Sequence, residues 1–212
     1  MFYSRVYVMS RALRKAFQFR PQPPQVLHAA VGATRRDEVE DFIRQVFVRQ
    51  YNARIPSFAP NLMMVEHAGR VRAAAGWRGA AAGGLYLERY LDEPVEHVLA
   101  GATGQAIGRE RIVEVGNLAS DRPGASMDVI RTLARHLDQL GYEWVVFTAT
   151  NELIGIFRRL GLPLLALTLA DPARLGEEAS AWGSYYDTAP IVVAGRIRAG
   201  LGCAEAGAKA DA

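Results

Sequence analysis

Glu114 lies in IVEVGNLASDRPGAS, Ile112 to Ser126, a run of apolar residues with the look of a buried strand that ends in a polar turn. A carboxylate in such company is costly if it stays charged and unpaired, so it has either a partner or a task. The task that suits it is proton transfer. Burial raises a carboxylate's pKa, and one within hydrogen-bond reach of an amine takes its proton directly or through water. The plain alternative is an ion pair with an arginine that only stabilises the sheet. Aromatic residues suited to lining an acyl or acceptor pocket are Trp77, Phe147, Trp182, Tyr185 and Tyr186, with ordinary core and hairpin packing as the competing role.

Other chemistries find no support. His28, His67, His97 and His136 are scattered without ligand spacing and Cys203 stands alone, so no metal is expected. There is no G-x-S-x-G elbow, phosphate-binding P-loop or dinucleotide fingerprint. With no positioned Ser or Cys nucleophile evident, any acyl transfer would proceed by direct attack of the acceptor.

The elements that must position Glu114 follow from periodicity. The strand Ile112 to Leu118 runs into a turn with Pro123 and Gly124, then into SMDVIRTLARHLDQLGY. Met127, Ile130, Leu133, Ala134, Leu137 and Leu140 fall there on one helical face, with Ser126 as N-cap and Gly141 as stop. WVVFTAT reads as a second buried strand, NELIGIFRRLGL as a short helix capped by Asn151, and PLLALTLAD as a further strand. WGSYYDTAPIVVAGRI reads as a closing hairpin around Asp187 to Pro190.

Upstream, QVLHAAVG predicts a first strand from about Val26, and a helix follows with Thr34 as N-cap and Val39, Phe42, Ile43, Val46 and Phe47 on its apolar face. NLMMVEHAGRVRAAAGWRG predicts a hairpin turning at His67 to Arg70, with Gly69 at positive φ. The segment from Gly84 to Gly104 predicts a short helical excursion.

The 212 residues, half of them hydrophobic, suit one globular domain. RPQPPQ at Arg20 to Gln25 marks its edge. The expected layout is a basic N-terminal extension with a Pro-rich linker over 1–25, one domain over 26–200 and a disordered tail over 201–212. A net charge of +3 does not argue for nucleic acid. No apolar run approaches a membrane span and no export signal is recognisable, so a cytoplasmic protein is expected. The basic segment before Arg20 suits a membrane surface, a docking face for an acidic protein or a mobile extension, so membrane association is allowed but not expected.

EVGNLAS, WVVFTAT, FRRLGLP, WGSYYDTAPIVVAGRI and LYLERYLDEPVE occur in the order in which similar blocks occur in the thermostable hemolysin family, which the chain resembles from about Val26 to Ile197. The order of elements resembles the GNAT acyltransferase fold. This resemblance implies an α/β (α+β) architecture: a mixed, mostly antiparallel sheet whose central strands splay apart, with flanking helices. It also implies an acyl-pantetheine thioester donor, either acyl carrier protein or acyl-CoA, with its carbonyl inserted at the splay. The implied donor track is Asn117, Leu118, Ala119, Ser120, Gly124, Ala125, Ser126 and Asn151, although Asn151 reads first as a helix cap and only second as a ligand.

Two features depart from that pattern. SDRPGAS is shorter than the usual pyrophosphate-binding turn, which weakens the case for free acyl-CoA. Phe157 stands where many acetyltransferases place a proton-donating tyrosine, leaving Tyr185 and Tyr186 as candidate acids. Both departures resemble the acyl-homoserine-lactone synthases, in which a strand glutamate is similar to Glu114. The Ser-Arg pair that follows it there is Gly116-Asn117 here, so lactone synthesis is not implied. The expected activity is N-acyl transfer to a small amine or amino acid, with Glu114 as base, Tyr186 as acid and acyl carrier protein as a candidate partner. The competing expectations are a membrane-active protein of the kind the family name suggests and a domain that binds acyl ligands without turnover.

Overall fold

The computed structural model describes residues 25–121, 125–159 and 161–199. The basic segment before Gln25 and the 201–212 tail lie outside the described residues. Strands β1 (Gln25–Ala30), β2 (Asn61–His67), β3 (Arg70–Gly79), β4 (Ile112–Ser120), β5 (Trp144–Ala149), β6 (Leu165–Leu169) and β7 (Ile191–Arg196) form one open sheet in the order β1-β2-β3-β4-β5-β7-β6. Every neighbouring pair is antiparallel except β4 and β5. The helices are α1 (Arg36–Tyr51), α2 (Val95–Thr103), α3 (Ala125–Gln139) and α4 (Asn151–Arg159). This is the mixed, mostly antiparallel sheet with flanking helices that the element order implied.

Side-chain alternation along the strands divides the helices between the two faces. Leu62, Met64, Ala74 and Ala119 meet Val39, Ile43, Val46 and Phe47 of α1. Met63, Ala73, Ala75 and Val113, one residue out of phase, meet Val129, Leu133 and Leu137 of α3 on the opposite face. Each Val, Leu, Ile, Met or Phe side chain among them stabilises by roughly 1.5–3 kcal/mol on leaving water. On the α1 face, Ile112, Trp144 and Val146 are covered by α2 and by a 3-10 turn at Leu87–Tyr90. On the α3 face, Phe147, Ala149 and Val193 are covered by α4, which packs through Leu153, Ile154 and Phe157 yet has no fully buried residue.

The β2–β3 hairpin turns through Ala68 and Gly69 with φ of 51° and 73°, two successive left-handed residues, so Gly69 supplies only half of the turn. Four boundaries differ from the sequence reading. β4 continues two residues past Leu118, to Ser120. Thr34 does not cap α1: the capping position is Arg35, which makes no side-chain cap and instead pairs with Glu38 at 2.7 Å and Glu66 at 2.6 Å. Ser126 lies inside the first turn of α3 rather than before it. Asn151 is the first residue of α4, and Thr150 caps it by accepting from the Leu153 N–H at 3.4 Å.

The closing hairpin is also corrected. Residues Pro172–Trp182 and Tyr185–Thr188 form 3-10 turns, and β7 pairs with β5 and β6. Contact with the end of α1 bends this segment. Ser184 N–H donates to the Tyr51 carbonyl at 2.8 Å, and a Cβ on Gly183, at φ 53°, would stand 2.1 Å from that same oxygen. Only glycine fits such an approach.

Candidate active site

Strands β4 and β5 pair only at Ile112–Trp144, Val113–Val145 and Glu114–Val146. Both then continue, β4 along β3 to Ser120 and β5 along β7 to Ala149. Beyond Glu114 they have parted. A cavity of about 590 Å³ is lined by residues of both faces, Tyr90 and Trp182 on one and Met127 and Phe157 on the other, and so passes through the gap. Its size falls within the usual range of small-molecule sites.

Glu114 occupies the last paired position, on the α1 face of the gap. Its two carboxylate oxygens accept the backbone N–H groups of Tyr86 and Leu87, each at 2.8 Å. Among the described residues no arginine forms an ion pair with it, and in place of the ion-pair alternative it caps the Leu87–Tyr90 turn. Burial pushes its pKa upward, while the two N–H donors and the charge of Arg78 oppose that shift. A carboxylate has roughly four lone-pair positions, so two remain for a ligand.

Aromatic side chains wall the α1 side. The hydroxyls of Tyr90 and Tyr186 share a 2.5 Å hydrogen bond. Tyr86 donates to Glu178 at 2.6 Å and accepts from Trp182 Nε1 at 3.1 Å, and Arg89 holds the other Glu178 oxygen at 2.8 Å. Tyr185 packs edge-on against Tyr186 and Tyr51, at 5.2 and 5.3 Å between ring centroids. Burial raises the pKa of Tyr86, Tyr90, Tyr185 and Tyr186, keeping these phenols protonated near neutrality.

The α3 side is apolar. Met127, Ile130 and Ala134 from α3 and Leu153, Ile156 and Phe157 from α4 face the cavity, with Phe147 stacked on Phe157 at 5.3 Å. Arg131, Arg135 and Arg159 stand at its edge, and none makes a hydrogen bond or ion pair among the described residues.

The residues singled out from sequence divide accordingly. Glu114, Asn117, Leu118, Ser120, Ser126, Phe147, Tyr185 and Tyr186 line the cavity. Trp77 does not: it points to the α3 face of β3 and packs against His136 and Tyr142, at 5.7 and 6.2 Å. Ala119 is buried against α1. Asn151 is exposed outside the cavity, its side-chain N–H donating to the Thr188 carbonyl at 3.4 Å. Gly124 lies outside the described residues, and Ala125 enters only as the first residue of α3.

Asn117 turns out to hold a β-bulge. Its φ is 51°, and the β3–β4 register shifts between Ala74 and Gly76 so that Asn117 and Leu118 have no ladder partner. Its side chain accepts from Ala59 N–H at 2.9 Å and so fixes the Ser57–Ala59 loop. Sequence reasoning missed Tyr86, Tyr90 and Arg78. The i, i+4 pairing of the two tyrosines in LYLERY, and the strict alternation that puts Arg78 opposite Trp77, were the available signals. His28 and His136, far apart in sequence, bring their rings to 4.4 Å, but no group of three His, Cys, Asp or Glu suited to a metal occurs among the described residues.

A mixed sheet whose central parallel pair splays around a through-going cavity defines a GNAT-like protein. The chain belongs to the thermostable hemolysin family, whose model matches residues 29–201. Solved structures of the same fold include the acyl-homoserine-lactone synthase LasI, with 15% identity, a TM-score of 0.56 and coverage of 82% of this chain and 90% of that one. FeeM, an N-acyl amino acid synthase from uncultured soil microbes, matches with 13% identity, a TM-score of 0.56 and coverage of 82% and 92%. The CoA-dependent acyl-homoserine-lactone synthase BjaI, in complex with SAM and isopentyl-CoA, matches with 13% identity, a TM-score of 0.55 and coverage of 84% and 86%. No curated protein matches the sequence.

Proposed function

We propose that the protein is an N-acyltransferase that moves an acyl group from a pantetheine thioester to a small amine or amino acid. The observation that carries this reading is Glu114 at the point where β4 and β5 part, facing a cavity that continues through the sheet. The donor enters from the α3 side, its pantetheine arm between the strands and its acyl chain among Met127, Ile130, Ala134 and Phe157. The unpaired arginines at that edge suit the phosphate of either acyl carrier protein or CoA. The fold's occurrence in synthases that include a CoA-dependent one supports a thioester donor without choosing between the two.

The acceptor approaches from the α1 side. Glu114 takes a proton from its ammonium group, and the nitrogen attacks the thioester carbonyl. Backbone N–H groups of β4 left without a β5 partner are oriented to stabilise the oxyanion. That attack forms the C–N bond; as the tetrahedral intermediate collapses the C–S bond breaks, the nitrogen gives up its second proton to solvent, and the thiolate takes a proton from Tyr186, which solvent restores by way of its hydrogen bond with Tyr90. The balance is one thioester and one ammonium to one amide, one thiol and one proton released to solvent. Phe157 has no proton to give, so the acid must come from the α1 side.

Thiol release from a panel of acyl-carrier-protein and acyl-CoA thioesters, with and without pooled amines and amino acids, tests the reading. Release that depends on amine and falls at least about a hundredfold in Glu114→Gln is expected. Release that is equally fast in the folded variant removes Glu114 from the mechanism. Silence across the panel from the folded wild type overturns acyl transfer. Leakage of liposomes on adding protein alone would then favour the membrane-active reading, although no described helix is long and apolar enough to cross a membrane.

A further inference from the structure

Arg78 and Glu114 are directly opposed across β3 and β4 and point to the same face, and both line the cavity. Opposed side chains start only about 4.5–5.5 Å apart at Cβ. Yet no ion pair or hydrogen bond joins these two among the described residues. Glu114 is turned towards the amides of Tyr86 and Leu87, and Arg78 spends one N–H on the Gly84 carbonyl at 3.1 Å. Most of the guanidinium's five donors are therefore uncommitted. A cation and an anion held side by side but apart, at the wall of a cavity, complement a ligand whose own charges are separated by a bond or two.

The rest of the α1-side chamber defines what such a ligand carries beyond its charges. Tyr51, Trp182 and Tyr185 offer ring faces and edges. The Tyr86 hydroxyl is committed to Glu178 and Trp182, and the Tyr90–Tyr186 pair spends one of its two protons on the hydrogen bond they share. The chamber thus favours an apolar or aromatic group over a strongly polar one.

Resting on the acyl-transfer reading, we propose that the acceptor is a zwitterionic α-amino acid with an apolar or aromatic side chain, its carboxylate held by Arg78 and its ammonium presented to Glu114. The guanidinium orients the acceptor so that the nitrogen which loses its proton to Glu114 is the one facing the thioester.

The test compares acceptors that differ only in the carboxylate: phenylalanine with phenethylamine, and leucine with 3-methylbutylamine. Wild type is expected to prefer the amino acids by about 10–100-fold in kcat/KM, the worth of charge-assisted hydrogen bonds to a carboxylate. In Arg78→Gln that ratio falls towards one through a raised KM for the amino acid, and Arg78→Lys recovers part of it. Equal use of amine and amino acid by wild type, or an unchanged ratio in Arg78→Gln, overturns the proposal while leaving acyl transfer standing. If no thioester is turned over, quenching of Trp182 fluorescence by phenylalanine but not phenethylamine, lost in Arg78→Gln, still supports the site and overturns only the reading of its chemistry. No difference in quenching overturns both.

Discussion

The two sides of the gap between β4 and β5 are built on opposite principles. On the α1 side polar groups are tied into a network that leaves Arg78 and part of Glu114 to meet a ligand: Glu114 caps a turn, Tyr90 and Tyr186 share a hydrogen, and Glu178 joins Tyr86 to Arg89. On the α3 side, α4 is amphipathic and yet buries no residue completely, because its apolar row borders open cavity as well as the strands it covers. A network with its hydrogen bonds already made fixes geometry, as chemistry requires. An apolar wall with space in front of it accepts a flexible chain. One side is preorganised and the other is adaptable.

That contrast predicts unequal responses to substitution. The largest belongs to Glu114→Gln, at least about a hundredfold in acyl transfer. The same change removes one acceptor from the paired N–H donors, with a cost of about 1–3 kcal/mol in urea unfolding. On the adaptable side, Ala134→Phe fills part of the cavity and should cut the ratio of long-chain to short-chain donor use by about 10–100-fold, measured across a thioester series. An unchanged series would mean that the chain lies elsewhere.

Replacing Arg131, Arg135 and Arg159 together by Ala should raise the donor KM about tenfold and flatten its dependence on salt, since exposed charges act through a screened field. A donor KM that is insensitive to salt in wild type would dissociate these residues from phosphate. The smallest effect concerns support of the α1 side. Burial works against ionisation of Glu88, but hydrogen bonds from Arg109, Leu85 and Val95 outweigh it and lower its pKa from 4.5 to about 2. A lowered folded-state pKa contributes stability above pH 4.5 that is lost as pH falls towards 2. Urea unfolding at pH 7 and pH 3 should therefore show a smaller acid loss in Glu88→Gln than in wild type. Burial gives Glu114 the opposite sign, so its contribution shrinks as pH rises through its raised pKa.

Much of the adaptable side was legible in the sequence, because it is made of regular elements. The apolar row of α3 and the strand that holds Phe147 are periodic, and periodicity alone identifies them. The preorganised side was legible in the aromatic residues Trp182, Tyr185 and Tyr186, which line the cavity, and at Glu114, whose charge is anomalous in a buried strand. Its partners are backbone amides 28 and 27 positions upstream, which no side-chain pattern records. The turns that carry Trp182, Tyr185 and Tyr186 read as a hairpin because their bend comes from contact with Tyr51, far away in the chain. Trp77 has the aromatic character of a pocket residue and its neighbour Arg78 does not, but a one-residue step along a strand changes the face, and it is Arg78 that lines the cavity. The bulge at Asn117 rests on a left-handed non-glycine residue, which composition does not announce.

In the proposed reaction the two sides meet at the gap. The most direct measurement of that reaction is the joint time course of thiol and amide from a single thioester and a single amino acid, with thiol followed by colour and amide by mass. The account predicts that the two rise together in a one-to-one ratio and that both nearly vanish in Glu114→Gln. Thiol without amide, or no thiol from folded protein with any donor, would contradict it.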